Sequence, residues 1–208
     1  MNVQHKAHPW HGIKPGENAP TIVTAFIEIV PSDTVKYEID KESGYLKIDR
    51  PQKFSNMIPT LYGFIPQTYC AEKIAEYASL KSGKVVAKGD GDPLDICVLS
   101  ERSVTHGDIL LQAIPIGGFR LLDGGEADDK IIAVAAGDPS VNHYNDISEL
   151  PQYLISETMS FFEDYTKLEN KKVVVDKFFD KETALQIMED SFVMYKKHYG
   201  ELHKWFFG

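Results

Sequence analysis

The chain predicts an α+β domain in which a strand-rich part precedes a helical one. Apolar and polar side chains alternate with a period of two through residues 34–40 and again through 45–50, and apolar runs at 96–99, 109–116 and 131–135 continue the strand pattern. From Pro151 the period becomes helical. Ile155, Met159 and Phe162 share one face, and Leu185, Met188, Phe192 and Tyr195 share another further on. A length of 208 residues suits one domain, 1–208, and a hydrophobic content of 43% supports a real core.

Taken in order, residues 1–20 are rich in His, Pro and Gly and read as a loose, irregular surface arm. His5, His8 and His11 are spaced by three there, but nothing nearby would orient them as metal ligands. Ile22 to Val30 reads as a strand with Glu28 embedded in it. In Thr34 to Asp40, Val35, Tyr37 and Ile39 lie on one face, with Lys36 and Glu38 on the other. The turn signal Lys41-Glu42-Ser43-Gly44 leads into a second alternating strand, Tyr45 to Arg50, so the pair predicts a hairpin. On pattern alone Lys36 and Glu38 read as an ordinary solvent face.

Pro51, Pro59, Gly63 and Pro66 make 51–68 mostly non-regular. The more polar stretch 69–88 reads as a surface insertion, with Glu72 to Lys81 able to form a short helix. A helix is expected over Pro151 to Leu168 and a strand over Val173 to Val175. A second helix should follow, with Asp180 as its N-cap. The aromatic tail Trp205-Phe206-Phe207 suits either docking on a neighbour or packing on its own domain.

Functionally, the most informative segment is Gly89-Asp90-Gly91-Asp92-Pro93-Leu94-Asp95. Gly and Pro rule out a helix or a continuous strand, and the apolar run Ile96 to Leu99 follows at once. Three carboxylates therefore sit on a tight turn at the lip of a sheet. They repel one another unless something cationic lies between them. Hard oxygen ligands of this kind suit Mg²⁺, Mn²⁺ or Ca²⁺ rather than zinc. An EF-hand is rejected, because Asp95 stands where its loop requires Gly and Pro93 interrupts it.

A second acidic loop, Asp123 to Lys130, lies between apolar runs. The two loops pool more negative charge than one divalent ion offsets, so two or more metals are expected. Lys36, Arg50 and Lys130 punctuate the same segments. Carboxylates, divalent metals and Lys/Arg together are what a polyphosphate needs for binding and for attack by an activated water. No Walker A motif is present, which argues against a P-loop nucleotide hydrolase.

A net charge of -9 argues against a nucleic-acid or anionic-membrane partner. The two cysteines, Cys70 and Cys97, offer neither a disulfide framework nor a zinc pattern, so a reducing cytoplasm is expected. No apolar signal core and no run long enough to span a membrane is visible.

The pattern D-G-D-P-[ILV]-D at Asp90 to Asp95 resembles the signature of the family I soluble inorganic pyrophosphatases. The resemblance extends over roughly residues 22–168. It takes in Phe26 to Ile29, Lys36 to Asp40, Asp49-Arg50, Pro59 to Pro66, the Asp123 to Lys130 loop and Phe161 to Tyr165. It implies a small five-stranded OB-like β-barrel flanked by C-terminal helices. It further implies hydrolysis of pyrophosphate to two phosphates, with several Mg²⁺ per site and Mn²⁺ as an alternative. By the same resemblance, Asp90, Asp95, Asp123 and Asp128 match metal ligands. Asp92 matches the general base toward a metal-activated water, and Glu28 and Glu38 match carboxylates that hold metals through water. Lys36, Arg50, Tyr62, Lys130 and Tyr165 match phosphate-binding groups. A homo-oligomer is implied too, hexamer favoured over dimer.

The sequence departs from the family in two places. Ile58 stands where many members have Tyr, and Thr166 where the family has Lys. Lys167 is expected to substitute for the missing lysine, with Lys53 as a further candidate. The rival readings are a phosphatase for another small phosphate ester and a binding protein that holds anions without turnover.

Overall fold

The computed structural model describes residues 6–51, 57–70, 91–123, 126–167 and 173–207. The strands are β1 (Val23–Ile29), β2 (Val35–Ile39), β3 (Leu46–Pro51), β4 (Leu61–Phe64), β5 (Asp95–Leu99), β6 (Ile109–Asp123), β7 (Glu126–Ala135) and β8 (Val173–Asp180). A 3-10 turn (Ile147–Glu149) precedes helix α1 (Gln152–Lys167), and helix α2 (Lys181–Phe207) follows β8.

The main sheet runs β1-β4-β5-β7-β6-β8, and β1 pairs with β6 as well as with β4. The pairings through β1, β4, β5, β7 and β6 therefore return to β1, while β8 lies alongside β6. β5 and β7 run parallel. β2 and β3 form a separate antiparallel hairpin. This five-strand circuit, flanked by two helices, is the α+β arrangement that the sequence and the resemblance lead one to expect.

Two apolar clusters line the sheet. One packs Ile27, Ile65, Leu94, Ile96 and Ile131 against Ala184, Ile187 and Met188 of α2. The other packs Cys97, Phe119 and Ile132 against Phe161 and Phe162 of α1. Ile58 is buried in this second cluster. Asp180 caps α2 as expected, its Oδ1 accepting from Thr183 N at 2.9 Å.

Four expectations change. β4 forms within the stretch read as non-regular. Gly63 suggested a breaker, but a Cβ there would meet the Phe26 carbonyl oxygen at 1.8 Å, so the glycine permits close strand approach. β6 runs on past residue 116, because a bulge between Pro115 and Gly117 lets the strand bend and continue. The acidic stretch from Asp123 is accordingly not a loop. Its ends are strands of one hairpin, with Asp123 on β6 and Glu126 to Lys130 on β7. The arm, finally, is irregular but not loose. Trp10 is buried with Phe26, Ile39, Phe64 and Tyr195. Nearly all of the proposed insertion lies outside the described residues. Cys70, near its start, belongs to the core.

Candidate active site

Strand alternation sets the centre of the site. On β7, Asp128 and Lys130 are two residues apart and share a face, while Asp129 between them faces the other way. Asp129 makes a fully buried bidentate pair with Arg120 directly opposite on β6, Arg120 Nε and Nη2 each donating at 2.6 Å. A one-residue slip would expose that pair and turn Asp128 and Lys130 away, so the pair pins the register. On the other side of β7, Asp95 opens β5 in register with Lys130.

The Lys130 ammonium consequently contacts Asp95 Oδ2, and it donates to Asp128 Oδ1 at 2.6 Å. The Tyr62 hydroxyl of β4 donates to the same Asp95 oxygen. Tyr62 and Phe162 of α1 form the apolar side of this group, with ring centroids 5.8 and 5.9 Å from Lys130 Nζ. Burial works against the lysine's charge, but Asp128 and Asp95 hold its pKa well above the usual value. Burial also raises Asp128, with Asp95 adding to the effect and Lys130 opposing it.

Glu28 connects this centre to the β2–β3 hairpin. It is buried on β1, and its Oε1 accepts from Ile39 N at 2.6 Å. Burial pushes its pKa up to about 8, and the charge of Asp95 adds to the rise. On the hairpin, Lys36 Nζ lies 3.3 Å from Glu38 Oε2 and 3.1 Å from Asp49 Oδ2, and Arg50 Nη1 lies 2.6 Å from that same Asp49 oxygen. Lys36 and Arg50 are in register. The Lys36/Glu38 face is thus one side of a charged cluster rather than a plain solvent face.

Asp92 sits on the acidic turn, where Gly91 adopts φ +78, a left-handed conformation suited to glycine. Its carboxylate pairs with Lys41 of the β2–β3 turn. Asp90 lies outside the described residues, as do the side chains of Asp123, Tyr165 and Lys167. Lys167 is the last residue of α1. Among the described residues no group of three His, Cys, Asp or Glu side chains is close enough to hold a metal.

Sequence reasoning missed Lys41 and gave Asp49 no role. Lys41 reads as turn punctuation, and its reach to Asp92 spans 51 positions. The contact of Asp49 with Lys36 comes from the register shift in the hairpin, which pairs Lys36 with Arg50 and Tyr37 with Ile48 and leaves Asp49 between them.

The family model described as inorganic pyrophosphatase matches residues 25–196. The chain is 52% identical over 159 residues to an inorganic pyrophosphatase of Chlamydia trachomatis, covering 76% of each chain. It is 43% identical over 193 residues to soluble inorganic pyrophosphatase 2 of Chlamydomonas reinhardtii, covering 93% of this chain and 91% of the relative. The crystal structure of inorganic pyrophosphatase from Thermus thermophilus superposes with a TM-score of 0.77 at 30% identity, over 92% of this chain and 99% of the other. Matches of this breadth span β1 to α2, and with them every element that carries the charged cluster. The chain belongs to the inorganic pyrophosphatase family.

Proposed function

We propose that the protein hydrolyses inorganic pyrophosphate to two phosphates in a reaction that requires divalent cations. The observation that carries this reading is the Lys130 ammonium held between Asp95 and Asp128, within reach of Tyr62. A carboxylate group with an embedded cation can face both metal ions and phosphate oxygens.

The donor set fits Mg²⁺, several per site, with Mn²⁺ as an alternative. Asp95, Asp128, Glu28 and Glu38 offer carboxylate oxygens alone; burial and the charge of Asp95 already disfavour ionisation of Glu28 and Asp128. Asp90 and Asp123 would complete this set. Bound ions would supply charge neutralisation on phosphate oxygens and acidify water.

In this reading Lys36, Arg50 and Lys130 hold the phosphate oxygens in place and absorb charge as the bridging P–O bond breaks. Tyr62 fixes the Asp95 carboxylate by its hydrogen bond, and Lys130 presents to substrate the ammonium that Asp95 and Asp128 hold. Asp92 accepts the proton from the attacking water at a carboxylate oxygen. Tyr165 and Lys167, at the end of α1, would bind phosphate oxygens as well. The assembly in this reading is a homo-oligomer, with a hexamer favoured over a dimer. A reducing cytoplasm suits the two buried free cysteines.

Phosphate release from pyrophosphate, ATP and a generic phosphomonoester tests the reading. Release from pyrophosphate well above the other two supports it. Comparable release from the phosphomonoester favours a broader phosphatase, and binding without release favours an anion-holding protein.

A further inference from the structure

The arm before β1 supplies none of the site residues above, yet its contacts lead to the acidic turn. Trp10 Nε1 donates to the Thr68 carbonyl at 2.8 Å, and Gln67 N donates back to the Trp10 carbonyl at 2.9 Å. Gln67 Nε2 also donates to the His11 carbonyl at 3.2 Å. Gln67 stands at φ +55, a conformation uncommon for a residue with a side chain, so this segment is held by its bonds to the arm.

Residues 65–70 in turn carry the acidic turn. Leu94 N donates to Thr68 Oγ1 at 2.8 Å, and Ile65 N donates to the Leu94 carbonyl at 2.9 Å. Cys70 N donates to the Asp92 carbonyl, and Gly91 N donates to the Cys70 carbonyl, both at 2.8 Å. The main chain at 91, 92 and 94 is thus bonded to a strip that Trp10 secures. A second route runs through His8, whose Nε2 donates to the Lys41 carbonyl at 3.2 Å, and Lys41 pairs with Asp92. On the far side the strip leans on α2, where Tyr69 N donates to the Ser191 carbonyl at 3.2 Å.

We propose that Trp10 is a positioning residue for the acidic turn: its indole N–H fixes the Thr68 strip, and through it the backbone that carries Asp92 and leads into Asp95. This rests on the proposed function only for its consequence, that loosening the turn weakens its hold on divalent cations. An ordinary core tryptophan would contribute stability without favouring one segment. Trp10 instead acts through a directed hydrogen bond, and the bond can be removed while the ring is kept.

The test compares wild type with Trp10→Phe by amide-resolved hydrogen exchange on chelator-treated protein, followed by calorimetric titration with Mg²⁺. Exchange at Gly91, Leu94 and Cys70 should speed up by about tenfold, while Ile131, Ile132 and Ala133 on β7 stay as in wild type. Mg²⁺ affinity should fall by roughly 10-fold or more, the span seen when a group supporting metal ligands is lost. If Trp10→Phe fails to fold, Trp10 replaced by 3-benzothienylalanine, which keeps the bicyclic ring but has no N–H, should give the same local pattern. Unchanged exchange at Gly91 and Leu94 overturns the proposal, and so does an equal acceleration on β7. Loosened amides with wild-type Mg²⁺ affinity overturn its consequence. If wild type itself takes up no Mg²⁺, the proposed function fails, while the exchange comparison still decides the role of Trp10.

Discussion

Lys130 and Asp95 face each other across the parallel β5–β7 pair, and the lysine ammonium lies on the same carboxylate oxygen that receives the Tyr62 hydroxyl. This places a cation among carboxylates that would otherwise repel one another. Replacing Lys130 with Met should leave Asp95 and Asp128 uncompensated, so chelator-treated variant should melt below wild type. Added Mg²⁺ should then raise the variant's melting temperature by more than it raises that of wild type. Thermal melts with and without Mg²⁺ check this, and an equal rise in both proteins would argue against it.

Asp92 offers a separate chemical test. Asp92→Asn keeps the shape of the side chain but cannot take a proton. Turnover on pyrophosphate should fall by roughly 10²–10⁴, the usual contribution of a positioned base. Mg²⁺ affinity should change little. Wild-type turnover across pH would remove Asp92 from the role.

The Arg120–Asp129 pair bears on stability. Asp129→Ala leaves a buried guanidinium without its bidentate partner, at a cost of about 3–5 kcal/mol. For a chain of this size each kcal/mol moves the melting temperature by about 2–4 °C. A drop of roughly 6–20 °C is therefore expected. The double variant Arg120→Met with Asp129→Leu should lose less than the single one. A single variant that melts like wild type would show that the pair does not pin the hairpin.

His11 gives a pH dependence. Burial lowers its pKa to about 4 from 6.5, with the neighbouring His8 adding to the effect. It packs against Trp10 and Tyr199, and its Nδ1 lies 2.8 Å from the Tyr195 hydroxyl. With the folded-state value depressed, the unfolded chain takes up the proton first as pH falls. Its contribution is complete above pH 6.5 and is lost as pH drops toward 4. His11→Gln should flatten the dependence of melting temperature on pH across that window. An unchanged slope would mean that His11 titrates alike in both states.

Much of the fold could be read from the chain because alternation and helical period are local signals. The hairpin of Thr34 to Asp40 with Tyr45 to Arg50, helix α1 and the Asp180 cap all follow from neighbouring residues. What escaped depends on partners distant in sequence. β4 was hidden because Gly63 marks close approach to β1, which no local pattern encodes. The acidic stretch at Asp128 looked like a loop because its charges satisfy one another across strands, through Arg120 and Lys130. By sequence Trp10 belongs to a loose arm, because its partner, Thr68, lies 58 positions away. Within the site, the residue types and their order were legible, and the resemblance assigned roles to them. The pairing of Lys130 with Asp95, and of Lys41 with Asp92, had to come from the register of strands and turns.

The most direct test of the account is phosphate release from pyrophosphate by exhaustively chelated protein as Mg²⁺ is titrated back. The carboxylate group around Lys130 predicts no turnover after chelation and full recovery with Mg²⁺. Undiminished hydrolysis in the chelated protein would contradict the central claim that these carboxylates act by holding divalent cations.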